Sequence, residues 1–299
     1  MKNKIKTNAK VDSVTKQSLD HASQHYENFP VASVFLPKNL REPISLIYSF
    51  ARQADDFADE GNLTVPQRLE MLDEFKSELD LLQAYIKPNR PFFFALGRMI
   101  RDQKLPFAPF YDLLDAFSQD VVKTRYRNYS EVIDYCKRSA NPIGRLLLHL
   151  YQASSQKNIA LSDNICSALQ IINFLQDIAI DFKKNADKQR IYMCQDELLQ
   201  FGISEQQIDA YVTGTKSIDS VWQTFMQFNL LRVDKMLKSG KPLGKILKGR
   251  IGFEMRMIIA GGERIITKIA QVKGDVFNHR PTLDYYDWLL IFTKALLKL

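Results

Sequence analysis

Asp55 and Asp59, in Arg52-Gln53-Ala54-Asp55-Asp56-Phe57-Ala58-Asp59-Glu60, share a helical spacing with Asn173, Asp177 and Asp181, in Gln170-Ile171-Ile172-Asn173-Phe174-Leu175-Gln176-Asp177-Ile178-Ala179-Ile180-Asp181. On a helix a residue and its i+4 neighbour lie on one face, about 6 Å apart along the axis. Each run therefore stacks oxygen donors in a stripe. Two such stripes turned toward each other would form a cage for Mg²⁺ and a diphosphate, because Mg²⁺ takes carboxylate oxygens and keeps positions for water and phosphate. A salt-bridged, solvated helix face is the ordinary reading of one such spacing. The second run argues against it. From Ile165 to Phe182 most positions are apolar, and a helix that is apolar almost all round is a buried one. Burying carboxylates without partners is costly, so the stripe Gln170, Asn173, Asp177 and Asp181 needs cations, metal or water beside it.

The elements that must position these residues read as helices. Pro43 starts one, with Ile44, Ile47, Ala51 and Ala54 on one face, that runs through the first acidic run and ends near Gly61. Pro66 starts another, carried by Leu69, Leu72, Phe75, Leu79 and Leu82 as far as Lys87-Pro88. Further helical periodicity spans residues 92–103, 109–122, 130–152, 162–184, 204–213, 218–237, 250–272 and 283–297. Alternating strand patterns are scarce, so the chain is predicted to be all-α. The last segment, with Tyr285, Trp288, Leu289, Phe292 and Leu296, is amphipathic: a terminal core helix by default, an interfacial membrane anchor as the alternative.

Composition bounds the remaining classes. The chain has 299 residues, 45% of them hydrophobic, with no linker-like tract or internal repeat. A single domain over residues 17–299 is predicted, behind a polar, lysine-rich leader at 1–16 that has no secretory pattern. Three cysteines without CxxC fit a reducing compartment, hence a cytoplasmic setting. No apolar run is long enough for a membrane span. The net charge is +7, with basic residues crowded at Lys235, Lys238, Lys241, Lys245, Lys248 and Arg250. They read as a solvated loop or a contact for anionic lipid on the inner membrane face; without aromatic interleaving or a known motif, nucleic acid is set aside. Four histidines supply no HExxH and no Glu-x-x-His, which leaves zinc hydrolysis and di-iron chemistry unsupported. There is no P-loop, GxSxG or GxGxxG, and Gly261-Gly262 reads as a packing point. What remains is oxygen-ligated Mg²⁺ among helices with a large apolar interior, a combination suited to ionising an allylic or cyclopropylcarbinyl diphosphate.

Both aspartate motifs, in this order, accompany the stretches Glu27-Asn28-Phe29-Pro30-Val31-Ala32-Ser33 and Tyr135-Cys136-Lys137-Arg138-Ser139-Ala140-Asn141-Pro142-Ile143-Gly144. Arg280-Pro281-Thr282-Leu283 and Asp287-Trp288 complete the set. On these residues the chain, from about His21 to the C-terminus, resembles the squalene/phytoene synthase family of head-to-head isoprenyl synthases. Within it the likeness is to the hydroxysqualene synthase branch of bacterial hopanoid and squalene biosynthesis. The resemblance implies an isoprenoid-synthase helical fold around a central hydrophobic cavity. It also implies Asp55, Asp59, Asn173, Asp177 and Asp181 as Mg²⁺ ligands and Arg52 as a diphosphate-binding arginine, while Arg190 matches the family's basic residue after the second motif and is expected to bind substrate. Gln170 resembles a substrate-contacting glutamine, and His25 and Phe29 fall at the family's pocket mouth. Squalene and dehydrosqualene synthases carry a tyrosine where this chain has Arg138, and Ala-Gly where it has Asn141-Pro142. That tyrosine is associated with the cyclopropane-forming half of their reaction. Its absence is consistent with an enzyme that starts from presqualene diphosphate and ends with water capture, without NADPH, with Arg138 and Asn141 shaping that end of the pocket. The alternatives are synthesis of presqualene diphosphate, squalene or phytoene from two isoprenyl diphosphates, or a non-catalytic assembly factor.

Overall fold

The computed structural model describes residues 37–184 and 189–298. The leader at 1–16, His25 and Phe29 lie outside them. The described chain is all-α apart from one two-stranded parallel pairing, and its contacts group it into two compact units, residues 1–122 with 142–155, and residues 123–141 with 156–299.

The first unit contains α1 (Lys38–Asp59), α2 (Val65–Gln83), α3 (Pro91–Asp102) and α4 (Ala108–Val122), with α6 (Asn141–Leu150) following later in the chain. Its centre is aromatic. Phe50 of α1 meets Phe110 edge-on at 5.2 Å and Phe93 at 6.2 Å, and Phe75 meets Phe93 at 5.0 Å and Phe57 at 4.9 Å. These edge-to-face contacts add to area burial by directing each ring, and they fix α1 one turn before its acidic run. Pro43 lies inside α1, which starts at Lys38 after Pro37. The proline forgoes one i→i−4 bond but keeps a helical φ, and its ring is buried. The second helix ends at Gln83, earlier than its pattern suggests, because Tyr85 takes φ 58° and turns the chain out. Buried Glu78 then accepts the backbone N–H groups of Asn89 and Arg90, which sets the entry to α3.

The second unit holds α5 (Tyr129–Ser139), α7 (Gln156–Gln176), α8 (Ile178–Lys184), α9 (Gln195–Gln200), α10 (Glu205–Val212), α11 (Ser220–Gly240), α12 (Leu243–Ile246), α13 (Gly249–Gln271) and α14 (Tyr285–Leu297). Strands β1 (Arg125–Tyr126) and β2 (Ile191–Cys194) pair in parallel, Arg125 opposite Ile191. No strand was legible here, since two to four residues give no alternation to read. Helix α7 packs along α11 through Gly240, where a Cβ would stand 2.7 Å from the Leu161 carbonyl oxygen and 2.4 Å from Ile165. Gly262 is the packing point the sequence suggested: a Cβ there would lie 2.8 Å from Leu169 and 3.1 Å from Leu237.

Two sequence-predicted helices are divided. The 130–152 segment breaks at Ala140, whose N–H closes α5 on the Cys136 carbonyl, because Pro142 cannot continue the bonding. The 162–184 segment breaks at Asp177, between α7 and α8.

Helix α14 opens with a capping box in which Asp284 and Asp287 exchange side-chain-to-backbone bonds. Asp287 is 1% exposed and carries ion pairs to Arg264 and Lys268 of α13. Burial pushes its carboxyl up, but the bonds from Lys268, the Asp284 N–H and Arg264 outweigh that and hold it well below the usual carboxylate range. A pKa lowered by folding contributes stability that is present above the unfolded value, about 4, and lost as pH falls toward the folded one. Asp287→Asn should therefore lower the urea midpoint at pH 7, on the order of 2 kcal/mol. The gap to wild type should shrink steadily below about pH 4. A gap independent of pH would contradict the assignment.

Candidate active site

Within the first unit the acidic run occupies the last turns of α1. Arg52 reaches Asp55 at 3.4 Å and Asp56 at 2.8 Å. The closer partner is Asp56, one residue off the Asp55/Asp59 face emphasised by the spacing; the i+4 reach of arginine favours it. Asp55, Asp56 and Asp59 are all half-buried. The helix end itself is secured by Arg68 of α2, a buried arginine. Its guanidinium donates to the carbonyls of Phe57 at 3.0 Å, Glu60 at 2.9 Å and Gly61 at 2.7 Å. These are the unsatisfied carbonyls of a helix C-terminus, where the macrodipole already favours a cation. Four acidic residues crowd this end, so Arg68 both satisfies the backbone and offsets charge. Sequence reasoning passed it over; an arginine in an otherwise amphipathic helix carries no distinguishing spacing.

In the second unit the stripe survives the break in the helix. The Asp177 N–H donates to Asn173 O and the Asp181 N–H to Asp177 O, both at 2.9 Å, so the three residues keep i, i+4 stacking. The stripe is less buried than the apolar sequence suggested: Asn173 is exposed and Gln170, Asp177 and Asp181 half-buried, because α7 packs its apolar positions against α11, α13 and α5. Phe174 anchors the turn, stacked on Tyr192 of β2 at 3.7 Å and 5°, with Tyr126 and Tyr135 completing the cluster.

Asp177 has a partner that no local motif announces. Arg280, 103 residues on, grips it with Nε on Oδ1 at 2.6 Å and Nη2 on Oδ2 at 3.1 Å. The neighbouring Gln176 donates to the Pro281 carbonyl, so the tail preceding α14 is tied to the end of α7. The bond from Asp177 raises the guanidinium's pKa, and the field of Asp181 adds to it. Arg280 and Pro281 were visible in sequence only as part of a family-like tail.

The other sequence-predicted site residues are placed as follows. Arg190, 5% exposed, stands just before β2 and donates to the Tyr192 hydroxyl at 3.2 Å. Arg138 bonds Asp134 at 2.8 Å, one turn back on α5. Asn141, which belongs to the second unit, is buried and accepts from Ser167 Oγ of α7 at 2.9 Å. His25 and Phe29 fall outside the described residues.

The fold and these helix-borne acidic stripes define the class: an isoprenoid enzyme acting on prenyl diphosphates. The squalene/phytoene synthase family model matches residues 22–287, and the chain belongs to that family. It is 34% identical over 241 residues to a hydroxysqualene synthase from Rhodopseudomonas palustris, covering 80% of this chain and 78% of that protein. It is 31% identical over 249 residues to one from Sinorhizobium fredii, covering 83% and 81%. The crystal structure of squalene synthase HpnC from Alicyclobacillus acidocaldarius superposes with a TM-score of 0.78 at 29% identity, over 89% of this chain and 96% of that one.

Arg68→Met should fray the last turn of α1 and cost about 2–3 kcal/mol, since three carbonyls lose a charged donor. Amide exchange at residues 57–61 and a denaturant titration read both effects; unchanged exchange there would show that Arg68 does not hold the helix end.

Proposed function

We propose that this protein is a hydroxysqualene synthase, which converts presqualene diphosphate and water to hydroxysqualene and diphosphate. The observation that carries the reading is the Asn173/Asp177/Asp181 stripe with Arg280 on Asp177. Two relatives bearing that name align over about four fifths of the chain. The C–O bond to the diphosphate breaks, and the leaving group takes the electron pair. The cyclopropylcarbinyl cation rearranges with ring opening, and a water oxygen forms the final C–O bond while its proton passes to solvent. No hydride is consumed, so NADPH has no part in this balance.

The donor chemistry fits Mg²⁺. Asp55, Asp59, Asn173, Asp177 and Asp181 offer only hard oxygens. Among the described residues no three His, Cys, Asp or Glu side chains form a closed cluster. Mg²⁺ is commonly held by one or two carboxylates with waters and substrate phosphate completing the octahedron. Those five residues would hold it, and bound Mg²⁺ would stabilise the charge developing on the leaving diphosphate. In the protein's own share of the work, Arg52 and Arg190 neutralise diphosphate oxygens. Arg280 exchanges Asp177 for the diphosphate, a trade between two oxyanions that suits a planar guanidinium. Gln170, on the same face as Asn173, orients the substrate. Arg138, held by Asp134, and Asn141, held by Ser167, fix the end of the pocket where water adds.

The test is product analysis by mass spectrometry with purified protein, Mg²⁺ and presqualene diphosphate, without NADPH. Hydroxysqualene is expected, with the rate reduced at least about a hundredfold in Asp177→Ala, as for loss of a group stabilising transition-state charge. Condensation of farnesyl or geranylgeranyl diphosphate, with presqualene diphosphate untouched, would overturn the branch while leaving the family in place.

A further inference from the structure

Helix α14 is amphipathic in the reverse sense for an outer helix. Its buried positions are Asp287, Ile291 and Ala295, a narrow stripe of which one member is spent on ion pairs. The opposite arc, followed at 100° per residue, runs from Phe292 through Tyr285, Leu296, Leu289, Tyr286 and Leu297 to Leu290, interrupted only by Thr293. Tyr285 is 78% exposed, Tyr286 80%, Leu296 61% and Leu297 66%. Single exposed leucines are ordinary; a continuous apolar arc on one helix marks an interaction surface.

The exposed charges beside the C-terminal half of the arc are basic, while at its other end Asp284 pairs with Lys268, and Lys294 lies 4.0 Å from Glu263. Arg256 of α13 donates Nε to the Ala295 carbonyl and Nη1 to the Gly244 carbonyl, both at 2.7 Å. Phe253 packs edge-on against Phe292 at 5.4 Å. These bonds set α12 and the start of α13 beside the C-terminal half of α14. The exposed residues Lys245, Ile246, Lys248 and Arg250 belong to that segment, Lys294 lies on α14, and Lys298 is its C-cap. No acidic residue occurs between Lys235 and Phe253, or after Asp287.

We propose that this surface seats the protein on an anionic lipid bilayer, with the α14 arc in the headgroup–acyl boundary and the cations on lipid phosphates. Tyrosines paired with leucines along one face, bordered by lysine, form the composition of an interfacial helix. No helix among the described residues is long and apolar enough to cross a membrane, so the contact lies in the plane of the surface. A second copy of the chain is a poorer occupant. Two-fold pairing through this face would set the exposed cations Lys245, Lys248 and Arg250 of one copy against those of the other.

Sedimentation of the full chain with phosphatidylcholine vesicles, and with vesicles containing phosphatidylglycerol, tests the proposal. Binding to the anionic vesicles alone is expected, weakening as salt rises. Leu289→Asp/Leu296→Asp changes only exposed positions and should leave the circular dichroism intact while reducing binding at least about tenfold. Lys245→Gln/Lys248→Gln should reduce it roughly thirty-fold, the equivalent of about 1 kcal/mol per cation at an anionic surface. Failure of the wild type to bind, or equal binding by the aspartate pair, would overturn the proposal. So would a concentration-dependent dimer abolished by that pair, which would assign the face to a second copy.

Discussion

Carboxylates stacked on one helix face repel one another, and the protein has to carry that repulsion before any substrate arrives. Each unit meets this constraint with guanidinium groups. On α1, Arg52 lies across Asp55 and Asp56, while Arg68 takes the carbonyls of the helix end. At the junction of α7 and α8, Arg280 closes on both oxygens of Asp177. Arginine suits this task better than lysine because its planar fork meets a carboxylate or a phosphate with the same bidentate geometry. A side chain that stabilises the resting carboxylate is thereby suited to a diphosphate.

Behind each acidic stripe lies rigid aromatic packing. Phe50, Phe75, Phe93 and Phe110 interlock at the back of α1, and Phe174 is pinned by Tyr192 where the second stripe turns. The short β1–β2 pairing has a consequence beyond its length. It holds Tyr192 against Phe174, with Arg190 on the Tyr192 hydroxyl, and every residue of β2 is buried. Close helix packing at Gly240 and Gly262 holds α7 at backbone distance from α11 and α13. Positioned groups do chemistry only when their support does not yield, and here it comes from the core.

The helices and both acidic stripes were legible because 3.6-residue periodicity is a local signal. The breaks were less so. Asn141-Pro142 ends a helix by proline chemistry that the longer apolar pattern masked, and Asp177 steps the second stripe without losing its i, i+4 stacking. Arg280 was beyond reach for a different reason. Its partnership with Asp177 spans 103 residues, and nothing in either neighbourhood encodes it. Arg68 and Glu78 act by capping backbone groups of neighbouring helices, a role that depends on tertiary approach and leaves no spacing to read. The exposed arc of α14 was legible as amphipathicity, but which side faces inward was set by Asp287, Ile291 and Ala295.

On the proposed function, Arg280 holds Asp177 until metal and diphosphate replace it. Calorimetric titration of Mg²⁺ into wild type and Arg280→Gln, each with and without inorganic diphosphate, tests it most directly. The account predicts weak Mg²⁺ binding to wild type alone and strong enhancement by diphosphate. In the variant it predicts tighter binding of Mg²⁺ alone and little enhancement. Identical Mg²⁺ affinities in the two proteins, with diphosphate enhancement undiminished, would contradict it.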